Sequence, residues 1–161
     1  MSNKSKGSKN ERELYQMFVD NSYRAVRVAG SGMMENADCD IIAGKKGKKF
    51  CIEAKSCKKL PKYISKDQIN RFIVFADIFG LKPVIAIRIN RIGWIFLNPK
   101  DMKNSGKNWA IDNEIISKKG KKFAQFFKDN LSSKKENKSL KDIRDIDLDE
   151  RELDNLTAMD Y

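Results

Sequence analysis

The chain has 161 residues, 40% of them hydrophobic, and sets 33 basic against 22 acidic side chains for a formal net charge of +11. That length suits one domain with a buried core plus a tail, and the charge favours a polyanionic partner, nucleic acid first. It contains no histidine, which excludes Ser-His-Asp and Cys-His nucleophiles, histidine-dependent nucleases and histidine-ligated metals.

Hydrolytic chemistry in such a chain must run on carboxylates, lysine and a hard metal with oxygen ligands. Cys39, Cys51 and Cys57 are odd in number and form no CxxC pair, so neither a disulfide framework nor a thiolate zinc site is expected. No run of 18 apolar residues occurs, and no secretory core follows the polar start MSNKSKGSKNER. The expectation is a soluble protein without a membrane partner, cytoplasmic or, for a viral protein, in the host cytoplasm.

Residues 1 to 7 read as a mobile start. Ser8 and Glu11 have the spacing of a capping box, opening a helix whose stripe is Leu14, Tyr15 and Phe18. Glu11 lies beside that stripe rather than opposite it. A short strand, RAVRVAG, and the loop GSGMMENA follow. Then comes DCDIIAGKKGKKFCIEAKS at 38 to 56, two apolar strand candidates joined by a basic turn. Beyond the basic segment KSCKKLPKYISK, a helix over about 66 to 79 repeats Ile69, Phe72, Ile73, Ala76 and Phe79, with Gly80 at its C′ position. PVIAIRIN and GWIFLNP are two more strands around a turn at Asn90 to Gly93, for an order αβββαββ.

Residues 100 to 117 read as polar loop with a short strand near Trp109, and Phe123, Phe126 and Phe127 suggest a helix over 120 to 131. The folded domain is placed at 1 to 131. Residues 132 to 161 form a charged tail whose last 21 residues hold three basic and eight acidic side chains, expected to be flexible or to engage a protein partner. KKGKKF occurs at 45 to 50 and again at 118 to 123. In so lysine-rich a chain it is read as coincidence.

The hairpin is the most informative stretch. With Lys46 and Gly47 as a two-residue turn, partners are those whose numbers sum to 93. Cys39, Ile41, Ala43, Phe50, Ile52 and Ala54 then share one face, and Asp40, Ile42, Cys51, Glu53 and Lys55 the other. Asp40 and Glu53 oppose each other, an unfavourable pair unless something compensates. A divalent metal would do so, with Lys55 beside it to orient or deprotonate a bound water. An exposed face with an acid paired to Lys55 is the other reading, and the pattern leaves both open.

KGSKNEREL at 6 to 14, VRVAGSG at 26 to 32, DIIAG at 40 to 44, CIEAK at 51 to 55, NRFIVFADIFG at 70 to 80 and PVIAIRI followed by GWIFLNP together resemble the archaeal Holliday junction resolvase family. The resemblance covers about residues 6 to 99. It implies an α/β restriction-endonuclease-like PD-(D/E)xK fold, with a central mixed β-sheet flanked by helices. The implied activity is that of a homodimeric, Mg²⁺-dependent endonuclease, with Mn²⁺ able to substitute, that nicks four-way junction DNA in opposing strands for recombination and repair.

Glu11, Asp40 and Glu53 would be the metal-site carboxylates with the Ala54 carbonyl near the ion, Lys55 would assist the water, and Ser31 would sit at the active site. Arg12 and Arg27 would contact phosphate. Arg88 stands where the family often has lysine, keeping charge but not shape. Lys45, Lys46, Lys48 and Lys49 at the turn, with Lys58, Lys59 and Lys62, would attract the backbone. The alternatives are a restriction or repair nuclease of the same fold acting on duplex DNA, and a non-catalytic nucleic-acid-binding protein.

Overall fold

The computed structural model describes residues 3–28 and 38–128. Ser31 and the whole acidic tail lie outside them. The described chain runs through α1 (Asn3–Asp20), β1 (Arg24–Arg27), β2 (Ile41–Lys45), β3 (Lys48–Cys57), β4 (Lys62–Ser65), α2 (Lys66–Ile78), β5 (Lys82–Ile89) and β6 (Gly93–Leu97). A 3₁₀ turn (Pro99–Asp101), β7 (Lys103–Ser105), β8 (Asn108–Ile111), α3 (Asn113–Lys119) and α4 (Phe123–Phe126) complete it. No described helix is long and apolar enough to cross a membrane.

The main sheet has the order β1-β2-β3-β5-β6. β3 and β5 are parallel, and every other neighbouring pair is antiparallel. Parallel neighbours need a crossover, which β4 and α2 supply. The β2–β3 hairpin adopts the expected register: Ile41 faces Ile52, Ile42 faces Cys51 and Ala43 faces Phe50. Lys46 and Gly47 both take positive φ (48° and 77°), as the tight hairpin turn whose twist matches the strands requires. A second sheet, β4-β8-β7, is entirely antiparallel.

The main sheet separates two cores. On one face Leu14 and Phe18 of α1 and Phe127 after α4 pack on Ile41, Phe50, Ile52, Val84 and Phe96. On the other, Ile69, Phe72 and Ala76 of α2 pack on Cys51, Ile85, Ile87 and Leu97, joined by Ile64 and Ile111 from the second sheet. The helical period of α2 and the strict alternation of β3 and β5 produce this sorting. Gly80, at φ +60°, follows α2 as expected of a residue past a helix end.

Five expectations are corrected. α1 begins at Asn3, so Ser8 is inside the helix and forms no N-cap, and residues 3 to 7 are helical. Lysine, serine and asparagine do not stop a helix that packing has already nucleated, since each added residue gains a hydrogen bond. The basic segment before α2 contains strand β4. The stretch over 100 to 117 has the short strand expected near Trp109, β8, but also holds β7 and α3, with the Asp112 carboxylate accepting from the Ile115 amide at 2.9 Å to cap α3, and the aromatic helix shrinks to Phe123–Phe126.

Cys39 is the fifth: it is buried with Cys51 on the α2 face, not with Ile41. Alternation stops at Asp40, a bend whose amide donates to the Ile52 carbonyl at 3.0 Å while its own carboxylate accepts from the Ala54 amide at 2.7 Å.

Candidate active site

β2 and β3 carry the acidic groups because their apolar rows hold the strands in place. Glu53 sits between Ile52 and Ala54 on β3, and alternation turns it to the α2 face. It is the one charged side chain buried among the described residues, 5% exposed. Burial removes its water, and the Asp40 charge opposes a second negative charge nearby. The Glu53 carboxyl is therefore pushed up to about 7, although Lys55 pulls the other way.

Three groups address Glu53 or its neighbour. Lys55 makes an ion pair with Glu53 Oε1 from the next position on the same strand face. Gln68 Nε2 in the first turn of α2 donates to the same oxygen at 2.9 Å. Asp40 Oδ2 is fixed by the Ala54 amide at 2.7 Å, so the backbone of Ala54 touches one acid and follows the other in sequence. Two carboxylates in partial desolvation, one of them reluctant to ionise, form a hard-oxygen donor set suited to a divalent cation.

Glu11 is not gathered with them. Its Oε2 accepts from Arg27 Nη2 at 2.9 Å, on the α1 face that Arg27 shares with its register partner Ile41. Among the described residues no three acidic or cysteine side chains are arranged to hold one ion. Arg12 is exposed. Arg88 is bound to Glu13, Nε to Oε2 at 3.1 Å, and Trp94 Nε1 donates to the same carboxylate at 3.0 Å. Lys45 is held by the Asn21 carbonyl at 2.9 Å and lies over the Tyr23 ring. Lys46, Lys49, Lys58 and Lys59 are exposed, and Lys48 is half-buried. Cys39 and Cys51 flank the acids in sequence, but burial pushes both thiols up to about 12, so neither is a thiolate nucleophile.

Sequence reasoning missed Gln68, Arg71 and Asp38. Arg71 Nε donates to Asp38 Oδ1 at 3.2 Å and the guanidinium also pairs with Asp67, tying α2 to the segment that enters β2. The signal for Gln68 was present in another guise: Ser65 and Gln68 have capping-box spacing. Ser65 Oγ does accept from the Gln68 amide at 3.2 Å, but the glutamine side chain goes to Glu53 instead of back to the cap.

A family profile described as archaeal Holliday junction resolvase (hjc) matches residues 2–140, beyond the stretch that carried the resemblance. The crossover junction endodeoxyribonuclease Hjc of Methanocaldococcus jannaschii is 39% identical over 110 residues, covering 68% of this chain and 78% of the relative. The protein of that name from Archaeoglobus fulgidus is 35% identical over 112 residues, covering 70% and 82%. The solved structure of Archaeoglobus fulgidus Hjc, a Holliday junction resolvase, superimposes with a TM-score of 0.68 at 32% identity, covering 73% of this chain and 94% of that one.

Proposed function

Because the chain belongs to the archaeal Holliday junction resolvase family and has its PD-(D/E)xK-like fold, we propose that it is a crossover junction endodeoxyribonuclease, cutting four-way DNA junctions by metal-dependent phosphodiester hydrolysis. The observation that carries the catalytic assignment is the buried Glu53 carboxylate beside Asp40, with Lys55 and Gln68 on it.

Asp40 and Glu53 would hold the ion, Mg²⁺ or Mn²⁺ in its place, and Glu11 would join them on exchange of its pair with Arg27. Such an ion supplies charge stabilisation at the phosphate oxygens and a more acidic water. The protein's own groups do the rest. Gln68 and the Ala54 amide fix one oxygen on each acid, so neither carboxylate must reorganise during reaction. Lys55 offers an ammonium beside Glu53 to orient the attacking water or to neutralise the developing charge. Basic side chains at the β2–β3 turn draw the phosphate backbone by long-range attraction.

A two-fold dimer would present two such sites to a junction of approximate two-fold shape and so pair the nicks. The exposed apolar side chains Val74 and Ile78 of α2, with Phe79 at its C-cap, support α2 as part of that interface.

The test compares Mg²⁺-dependent cleavage of a labelled four-way junction with that of a linear duplex built from the same arms. Selective cutting of the junction is expected. Equal cutting of both would identify a duplex nuclease, and cutting of neither a binding protein.

A further inference from the structure

Two glutamates of α1, Glu11 and Glu13, each hold an arginine of the main sheet, and they hold it differently. Glu11 Oε2 takes Arg27 by the terminal nitrogen Nη2 at 2.9 Å. Glu13 takes Arg88 by Nε alone, at 3.2 Å to Oε1 and 3.1 Å to Oε2, while Trp94 Nε1 donates to Oε1 at 3.0 Å. The strands explain the meeting. Val84 and Ala86 face α1, so alternation along β5 puts Arg88 on that face too, and Trp94 is its register partner on β6. Trp94 is buried, so its indole N–H needs an acceptor, which α1 supplies.

A guanidinium carries its N–H donors in a rigid planar fork. A pair that only braced α1 against the sheet would gain most from two parallel N–H···O bonds that use the end of that fork. Here the single Nε hydrogen is shared between both carboxylate oxygens, and Nη1 and Nη2 bond to no described residue. The Arg88 side chain is 37% exposed. Glu13 thus fixes the stem of the fork and leaves its end for another ligand, and the end of an arginine fork matches two oxygens of a phosphate.

We propose that Glu13 is a positioning residue: it holds Arg88 by Nε so that the two terminal nitrogens are presented together to one backbone phosphate of a junction arm. The proposal rests on the junction-nuclease reading and deepens it by naming what orients a phosphate contact of that substrate. Arg88 is the register partner of Ser56, the residue after Lys55, so the clamp sits at the acid-bearing end of β3, roughly 10 Å along the strand from Glu53 at about 3.3 Å per residue. A lysine in place of Arg88 could not do both tasks. Its one ammonium, held by Glu13, has no rigidly placed second pair of donors to offer.

The test is equilibrium binding of the full chain to a labelled four-way junction, with chelator present to prevent cleavage. Glu13→Gln keeps an acceptor for Trp94 and makes the protein more basic, which by charge alone would tighten binding to DNA. Positioning requires the opposite, binding about tenfold weaker. Arg88→Lys, at unchanged charge, should weaken binding by a similar factor. Combining the two should reverse the sign, because Glu13→Gln then releases the ammonium: the double variant should bind more tightly than Arg88→Lys alone. Arg88→Ala should lower the slope of log affinity against log salt by about 0.9 for the phosphate no longer neutralised. Urea unfolding supplies the folded fraction to which each affinity is referred. Equal or tighter binding by Glu13→Gln alone, no reversal on Arg88→Lys, or an unchanged salt slope in Arg88→Ala overturns the proposal. Mg²⁺-dependent cleavage of the junction by the wild type, measured alongside, shows separately whether the nuclease reading itself has failed.

Discussion

The two faces of the main sheet are built from the same strands and bury comparable apolar rows, yet they do opposite things with polarity. The α1/α4 face surrounds Phe127 with Phe18, Phe50, Phe96 and Phe123, ring centroids 4.7–5.1 Å away. The α2 face, in the midst of Cys51, Ile85 and Ile87, admits Glu53 and pushes its carboxyl up to about 7. One face is optimised for packing, and the other gives up stability to keep an acid where water is scarce. Stability and activity should accordingly separate by face.

Substitution on the α2 face should give the largest functional effect. Glu53→Gln or Lys55→Ala should reduce junction nicking on the order of 10³-fold while junction binding in a gel-shift assay persists; near-normal nicking by either variant would remove that residue from the catalytic set. On the opposite face, Phe127→Ala should cost about 3–5 kcal/mol in urea unfolding, as truncation of a buried aromatic does, with the folded fraction still nicking at close to the wild-type rate. A matching drop in rate per folded molecule would erase the distinction between the faces.

Gln68→Ala sharpens the comparison, because it removes a hydrogen bond to the acid without removing a charge. A hydrogen bond to a charged group contributes about 1.5–3 kcal/mol, so single-turnover cleavage should fall roughly 10- to 100-fold with little change in melting temperature. A further effect, on stability alone, is on pH dependence. The raised Glu53 carboxyl binds a proton in the folded state that the unfolded chain releases at lower pH. Its contribution to stability is thus fully present below about 4.5 and is lost as pH rises through about 7. Melting curves recorded with chelator should show wild type losing stability across that window, a slope that Glu53→Gln removes.

How far these faces were legible in the sequence differs by element. The hairpin register followed from a two-residue turn and period-two alternation, both local properties, and α2 followed from its apolar stripe. β8 was readable as a short strand around Trp109, but β4, β7 and α3 were obscured because their signals are short and polar, and β4 pairs with residues far away in the chain, as Tyr63 with Ala110. At the site, Asp40, Glu53 and Lys55 were readable as a pattern on two adjacent strands. Gln68 was not, since its position also satisfies a helix cap, and the choice between cap and acid is made only when α2 packs on β3. Glu11 was placed by resemblance on the same ion, and only the fold shows that Arg27 holds it on the α1 face.

The repeated KKGKKF string shows how little a local motif fixes by itself. Gly47 is needed for its positive φ and has open space around it, whereas Gly120 is needed for closeness: a Cβ there would lie 2.4 Å from the Ile116 carbonyl oxygen and 2.8 Å from Ile95.

The Lys46–Gly47 turn carries a further consequence for how this protein can change over time. Adding a single residue inside β2 or β3 would slip one strand against the other and exchange its faces, sending Glu53 toward the phenylalanines or Ile52 toward the site. An insertion at the turn itself only lengthens the loop and leaves the paired rows in place, so descendants of this chain can vary the basic loop freely while the strands beside it keep their length.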